Sequence, residues 1–215
     1  MNTHADWVYC AMTDTFHTIA RRHTVETRIK GSRFLADAIP VEDRAAAEVA
    51  LEDIRRRYYD ATHHCYAYRI GPGGETYRIH DDGEPGNSAG RPILAAIDHR
   101  TLTNVLVIVT RWFGGTKLGV GGLVRAYGEA AAAVLEGAGT LTQYLTVPCA
   151  IRFSHAHIST VMRLCTAHQA KIMETGYDEE VRMHLSVRRG SLERLTADLI
   201  EATHGQLTID PPSMS

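Results

Sequence analysis

The stretch that decides the fold reads DDGEPGNSAGRPILAAI at 81–97 and NVLVIVTRWFGGTKLGVGGLVRAYG at 104–128. Nine of the chain's 18 glycines lie between Gly83 and Gly128, around the branched-aliphatic run 105–109. An unbroken apolar run of that kind predicts a central strand covered on both faces, here 104–110. The glycines around it provide for φ > 0 and for close backbone approach, more than packing alone requires. The loop 114–122 leads into a helix over 123–136 with Leu123, Tyr127, Ala130, Val134 and Ala138 on its buried face.

Towards the N-terminus, 89–99 reads as a helix with Asn87 and Ser88 as its cap and Pro92 in its first turn. Strands are expected at 63–70 and 75–80, turned by Gly-Pro-Gly-Gly at 71–74. The segment 41–59 is a helix entered from Pro40, with Ala46, Val49, Ala50, Ile54 and Tyr58 on one face. A strand pair bent at Gly31 covers 24–34, and residues 1–19 read as an irregular arm.

Beyond the stretch, Gly137-Ala138-Gly139 ends the alanine-rich helix and marks a domain boundary, giving domains at 20–138 and 139–215. The second reads as strand 144–153, a helix capped at Ser154, strands 169–176 and 181–188, a helix capped at Ser191 and strand 206–209. That succession, β-α-β-β-α-β, is the ferredoxin-like order. The fold class expected is α+β in two domains.

Composition narrows the function. A formal charge of −2 and a pI near 6.6 exclude coating of nucleic acid by bulk charge, so any polyanion site is local. Cys10, Cys65, Cys149 and Cys165 show no C-x-x-C spacing, as in reduced thiols of a cytosolic protein. The N-terminal segment lacks the pattern of a signal peptide, and no apolar run is long enough to cross a bilayer. Cytoplasmic location without membrane contact is expected.

Four groups of residues carry candidate chemistry. Residues 85–128 hold five basic side chains (Arg91, Arg100, Arg111, Lys117, Arg125) against one acid, Asp98. Free backbone N–H groups of Gly114, Gly115, Gly119, Gly121 and Gly122, feeding a helix N-terminus beside Arg91, Arg111, Lys117 and Arg125, suit an anion or RNA backbone. Neither standard phosphate fingerprint is present, and close strand–helix packing explains the glycines as well. Asp81, Asp82 and Glu84 offer a turn, a general acid/base pair, a Mg²⁺ site, or a salt link to Arg111 or Lys117 that braces the loop. The brace is favoured for at least one acid, and a metal site least, because hard-cation loops space their ligands at alternate positions. His63-His64-Cys65, and His155 and His157 with Cys165, lack zinc spacing, so neither a metal nor a cofactor is expected. Trp112 and Phe113 suit base stacking or a partner contact, with one ring closing the core at the strand end. No Ser-His-Asp or Cys-His set can be assembled and G-x-S-x-G does not occur, so binding is preferred over catalysis.

The run DDGEP-x-x-x-AGRP at 81–92, VTRWFGG-x-KLG at 109–119 and GGLVRAY at 121–127 resembles the IMPACT/YigZ family, over residues 20–138. The tail resembles the second domain of its bacterial members. Asn87-Ser88 stands where the bacterial pattern usually has Gly-Thr, and Val120 where it has Thr. The resemblance implies a first domain folded like the second domain of a small-subunit ribosomal protein, and a second like the last domain of the ribosomal translocase. It also implies a link to translation, since eukaryotic relatives bind a ribosome-associated activator and restrain a translation-initiation kinase. The first fold is shared with small-molecule kinases, which keeps an enzyme reading open.

The leading expectation is a regulatory or accessory protein of translation. It would bind ribosome, RNA or a ribosome-associated protein through the glycine-rich basic surface, with Asp81, Asp82 and Glu84 organising the loop. The alternatives are a phosphate-handling or hydrolytic enzyme at the acidic turn and glycine loop, and a protein-interaction module anchored on Trp112 or Phe113. Oligomeric state is not legible in the sequence.

Overall fold

The computed structural model describes residues 14–210. Cys10 and the first 13 residues of the expected arm lie outside the described residues. The chain divides into two compact units between Gln143 and Tyr144. Each unit combines sheet and helix, giving a two-domain α+β chain.

The first unit contains β1 (Thr15–Ile19), β2 (His23–Ile29), β3 (Ser32–Pro40), α1 (Arg44–Arg57), β4 (His63–Ile70), β5 (Thr76–His80), α2 (Gly90–His99), β6 (Val105–Trp112), α3 (Val120–Ala138) and β7 (Thr140–Tyr144). Five strands form an antiparallel sheet in the order β2-β3-β6-β4-β5. β6 lies at its centre, and its alternation accounts for the unbroken apolar run. Val105, Val107 and Val109 face α2 and α3, packing with Ile93, Ile97, Tyr127 and Val134. Leu106 and Ile108 face α1, packing with Leu51 and Ile54. Both faces of the strand are dry, so neither residue parity needs a polar side chain.

Several boundaries differ from those read in the sequence. Residues 15–19 form a strand paired with β7, where an irregular arm was expected. The two segments are far apart in sequence, which no local pattern reports. Helix α1 starts at Arg44, because the Asp43 side chain accepts from Ala46 N and caps it. Its buried stripe is Ala47, Leu51 and Ile54, with Ala50 and Tyr58 partly covered. Val49, placed on the buried face from the sequence, is 70% exposed. Helix α3 begins at Val120, so the last glycines of the expected loop form its first turn.

The second unit runs β8 (Thr146–Phe153), α4 (Ile158–Ala167), β9 (Lys171–Tyr177), β10 (Val181–Arg188), α5 (Leu192–Ala202) and β11 (Leu207–Asp210). Its sheet order is β11-β8-β10-β9, all antiparallel. Ile151, Phe153, Val181, Met183 and Leu185 point to the face covered by helices and bury against Val161, Leu195 and Leu199. Ser154 caps a short 3-10 turn ahead of α4, and Ser191 makes no capping bond to α5, contrary to the expected cap. Among the described residues no helix is long and apolar enough to cross a membrane.

Candidate functional site

The acidic turn is built by its own sequence. Asp82 and Gly83 both take positive φ, 45° and 87°, and Glu84 N donates to the Asp81 carbonyl at 2.9 Å. Two consecutive left-handed residues make the primed turn that Asp-Gly favours. The turn aims the three carboxylates in different directions, and each has a separate structural partner.

Asp81 caps helix α2. Its carboxylate accepts from Asn87 N at 2.8 Å, Ala89 N at 3.0 Å and Gly90 N at 2.8 Å. The expected cap from Asn87 and Ser88 is not used: Ala89 is the capping residue and makes no side-chain bond. Ser88 is buried, and its hydroxyl has no partner among the described residues. Asp82 accepts from His64 N at 2.7 Å and lies 3.6 Å from the Arg55 guanidinium, tying the turn to β4.

Glu84 is the buried acid. It pairs with Arg111 Nη1 and accepts from the Tyr127 hydroxyl at 2.7 Å. Arg111 Nη2 donates to Ser32 Oγ at 3.2 Å, which also accepts from Gly114 N at 3.2 Å. A continuous polar chain thus joins the acidic turn, the central strand, the β2–β3 turn and the glycine loop. Arg111, expected on the open basic surface, is 4% exposed and neutralised by Glu84. The cause is alternation, since Arg111 shares the inner face of β6 with Val107 and Val109.

Two further groups touch this chain. The Cys65 thiol donates to the Asp81 carbonyl at 3.0 Å and lies 3.4 Å from the Tyr127 hydroxyl. Burial pushes its pKa up to about 12, and burial also raises that of Tyr127. Both keep their protons at neutral pH, so neither supplies an activated nucleophile or a base.

The glycine loop is anchored at one point. A Cβ at Gly114 would lie 1.9 Å from the Gly31 carbonyl carbon, so the two backbones cross in contact and neither tolerates a side chain. Beyond the crossing, Gly115, Gly119 and Gly121 have open space around them, while Gly122 sits against Leu118. Gly119 caps α3 without a side-chain bond, and the first turn contains no acid. The N–H groups of Val120, Gly121 and Gly122 belong to that first turn and have no carbonyl partner within the helix.

Lys117, Arg91 and Arg125 are exposed. Among the described residues none of the three forms an ion pair. A Cβ added at Gly128 would lie 3.7 Å from the Pro92 side chain, so α2 and α3, which carry Arg91 and Arg125, adjoin there. A half-open cleft of about 260 Å³ lies between the helix start and the buried pair, lined by Glu84, Arg111, Phe113, Lys117, Gly119 and Leu123, among others.

The aromatic pair separates as β-strand parity requires. Trp112 donates from Nε1 to Asp60 at 3.1 Å, carries the Arg33 guanidinium 4.0 Å over its ring and meets Tyr58 edge-on. It is therefore held in place and offers no free anchor. Phe113 is 47% exposed at the mouth of the cleft. Ser32 and Tyr127, which hold the polar chain together, had no role in the sequence reading of the site, and neither did Lys30, exposed beside the Gly31 crossing. Among the described residues no three His, Cys, Asp or Glu side chains gather as a metal set.

Comparison with known proteins follows the same two-unit division. The family model of the Impact N-terminal domain matches residues 30–135, and a domain of unknown function, DUF1949, matches 151–206. An IMPACT family member in the pol 5′ region of Thermus thermophilus is 44% identical over 164 residues, covering 75% of this chain and 87% of that one. The IMPACT family member YigZ of Escherichia coli is 30% identical over 193 residues, covering 86% and 92%. Protein IMPACT of Mus musculus is 33% identical over 102 residues, which cover 45% of this chain and 31% of the mouse protein. A solved structure described as that of a hypothetical protein superposes with a TM-score of 0.71 at 26% identity, over 94% of this chain and 100% of that one.

Proposed function

The chain belongs to the IMPACT family, and on that premise we propose that it is a regulatory or accessory protein of translation that contacts RNA phosphates through the rim of its glycine loop. Its place of action is the cytoplasm, on the ribosome or on RNA associated with it. In this reading the first unit is folded like the second domain of a small-subunit ribosomal protein, and the second like the last domain of the ribosomal translocase.

The observation that carries the reading is the division of labour among the basic residues. Arg111 is taken up internally by Glu84, whereas Lys117, Arg91 and Arg125 stay exposed and form no ion pair among the described residues. Lys117 lines the cleft at a helix start whose N–H groups are unpartnered within the helix and whose first turn has no acid. Arg125 lies in that helix's second turn, and Arg91 lies on the adjoining helix. Glycines with open space above them let a backbone or phosphate approach closely. Asp81, Asp82 and Glu84 act in this reading as the frame that holds the rim, and Phe113 as a surface against which a base can stack.

The cleft from Glu84 to Lys117 favours a second reading, an enzyme or receptor for a small anionic molecule. Its difficulty is chemical. Glu84 already accepts from Arg111 and Tyr127, and Cys65 and Tyr127 hold their protons, so none of these three is placed as a base or nucleophile. Of the two rings read as anchors for a protein-binding module, Trp112 is held by Asp60 and Arg33, and Phe113 remains exposed.

Sedimentation with purified ribosomes at low and near-physiological salt tests the proposal. Wild type is expected to co-sediment at low salt and to be displaced as salt rises, while a Lys117→Glu/Arg125→Glu variant stays in the supernatant. Wild type remaining in the supernatant at both salts, while ligand screening finds a small anion that binds the cleft, would transfer the site to the second reading.

A further inference from the structure

In the second unit the inward side chains of the sheet are covered by α4 and α5, and the alternate residues point to the opposite face. The strand register sets those residues in rows across all four strands. One row reads Thr208, Arg152, Arg182, Gly176, and the next reads Asp210, Ala150, His184, Glu174. Arg152 and Arg182 are therefore direct cross-strand neighbours, an arrangement of like charges that weakens a sheet.

Their environment only partly relieves this. Asp210 lies 3.3 Å from Arg152, but Arg152 Nε is hidden from solvent with no partner among the described residues. Arg182 is exposed and forms no ion pair among the described residues. Ala150 is short where its neighbours are long, leaving a depression of about 300 Å³ lined by Arg152, Arg182, His184 and Asp210. At the end of the arginine row Gly176 has open space above it.

We propose that this face is a phosphate-binding site, in which the paired guanidiniums of Arg152 and Arg182 grip the phosphate oxygens and the Thr208 hydroxyl donates from the end of the row. Two adjacent planar forks match the tetrahedral oxygens better than point charges do. Asp210 and Glu174 occupy the neighbouring row, so the site suits an anion whose charge is concentrated in one group. A free phosphate or phosphate monoester presents that group, and so does the backbone of a single-stranded RNA. The site does not rest on the reading of the glycine loop, because it uses residues of the second unit alone.

The test is a titration of the full chain, labelled with ¹⁵N, observed at the arginine side-chain signals. The probes are inorganic phosphate and a short single-stranded oligoribonucleotide, each added to wild type, Arg182→Ala and Lys117→Glu. The Arg152 and Arg182 signals are expected to move and saturate in wild type and in Lys117→Glu. In Arg182→Ala the Arg152 titration should weaken by at least about tenfold, as loss of a charge-assisted contact implies. Movement with phosphate alone identifies a small phosphate ligand, and movement only with the oligonucleotide identifies a strand backbone. Signals that stay fixed with both probes, or an Arg152 titration unchanged by Arg182→Ala, would overturn the proposal. Arg182 is exposed, so the variant folds, and its amide spectrum verifies this.

Discussion

Glu84 and Arg111 form a buried ion pair, and removing one partner strands the other. Arg111→Met is expected to cost about 3–5 kcal/mol in urea unfolding, and Tyr127→Phe, which removes one donor and leaves the pair intact, about 1–3 kcal/mol. Equal losses for both variants would show that the pair is less isolated from water than its geometry implies. The titrating residues give the molecule a defined pH range. Burial raises the Cys65 pKa from an ordinary 9.0 to about 12, and Cys149 and Cys165 shift the same way. The unfolded chain releases these protons first, so stability is intact below pH 9 and falls as pH rises towards 12. His64 is shifted down by burial, so its contribution is intact above its ordinary 6.5 and is lost as pH falls. Urea midpoints measured across both ranges check the two limbs. The residue-scale error in the sequence reading was also a matter of parity. Counting charges placed Arg111 on the surface, whereas the alternation from Val107 and Val109 already directed it inward.

Elements owe their positions to contacts that local sequence reports unevenly. The centre of the sheet was legible because β6 is apolar at both parities, and the hairpin at 71–74 because its glycines mark it. The start of α2 was read to within one residue but its cap was not legible, since it comes from Asp81, eight residues upstream of Ala89 and across the acidic turn. Asp81→Ala should therefore destabilise by about 0.5–2 kcal/mol in thermal or urea unfolding, while Ser88→Ala should not show a capping loss. The glycines of the loop divide by the same test. Gly114→Ala places a methyl on the Gly31 backbone and is expected to cost about 1–3 kcal/mol or more. Gly121→Ala meets open space in a helical turn and should stabilise by about 0.5–1 kcal/mol. If the rim receives RNA phosphates, that same Gly121→Ala change weakens RNA binding while it strengthens the fold, a combination that packing alone does not produce.

At the scale of the whole molecule, the chain has a formal charge of −2, so affinity for a polyanion has to come from local concentration of charge. In the proposed reading the glycine-loop rim of the first unit supplies it, since Lys117, Arg91 and Arg125 form no ion pair among the described residues. The most direct measurement of the central claim is the salt dependence of binding to a structured ribosomal RNA fragment, for wild type and for Lys117→Glu/Arg125→Glu. The account predicts a steep loss of wild-type affinity with salt and a log–log slope reduced by about one unit for each cation removed, with unfolding midpoints little changed. Equal slopes and equal affinities for the two proteins would contradict it.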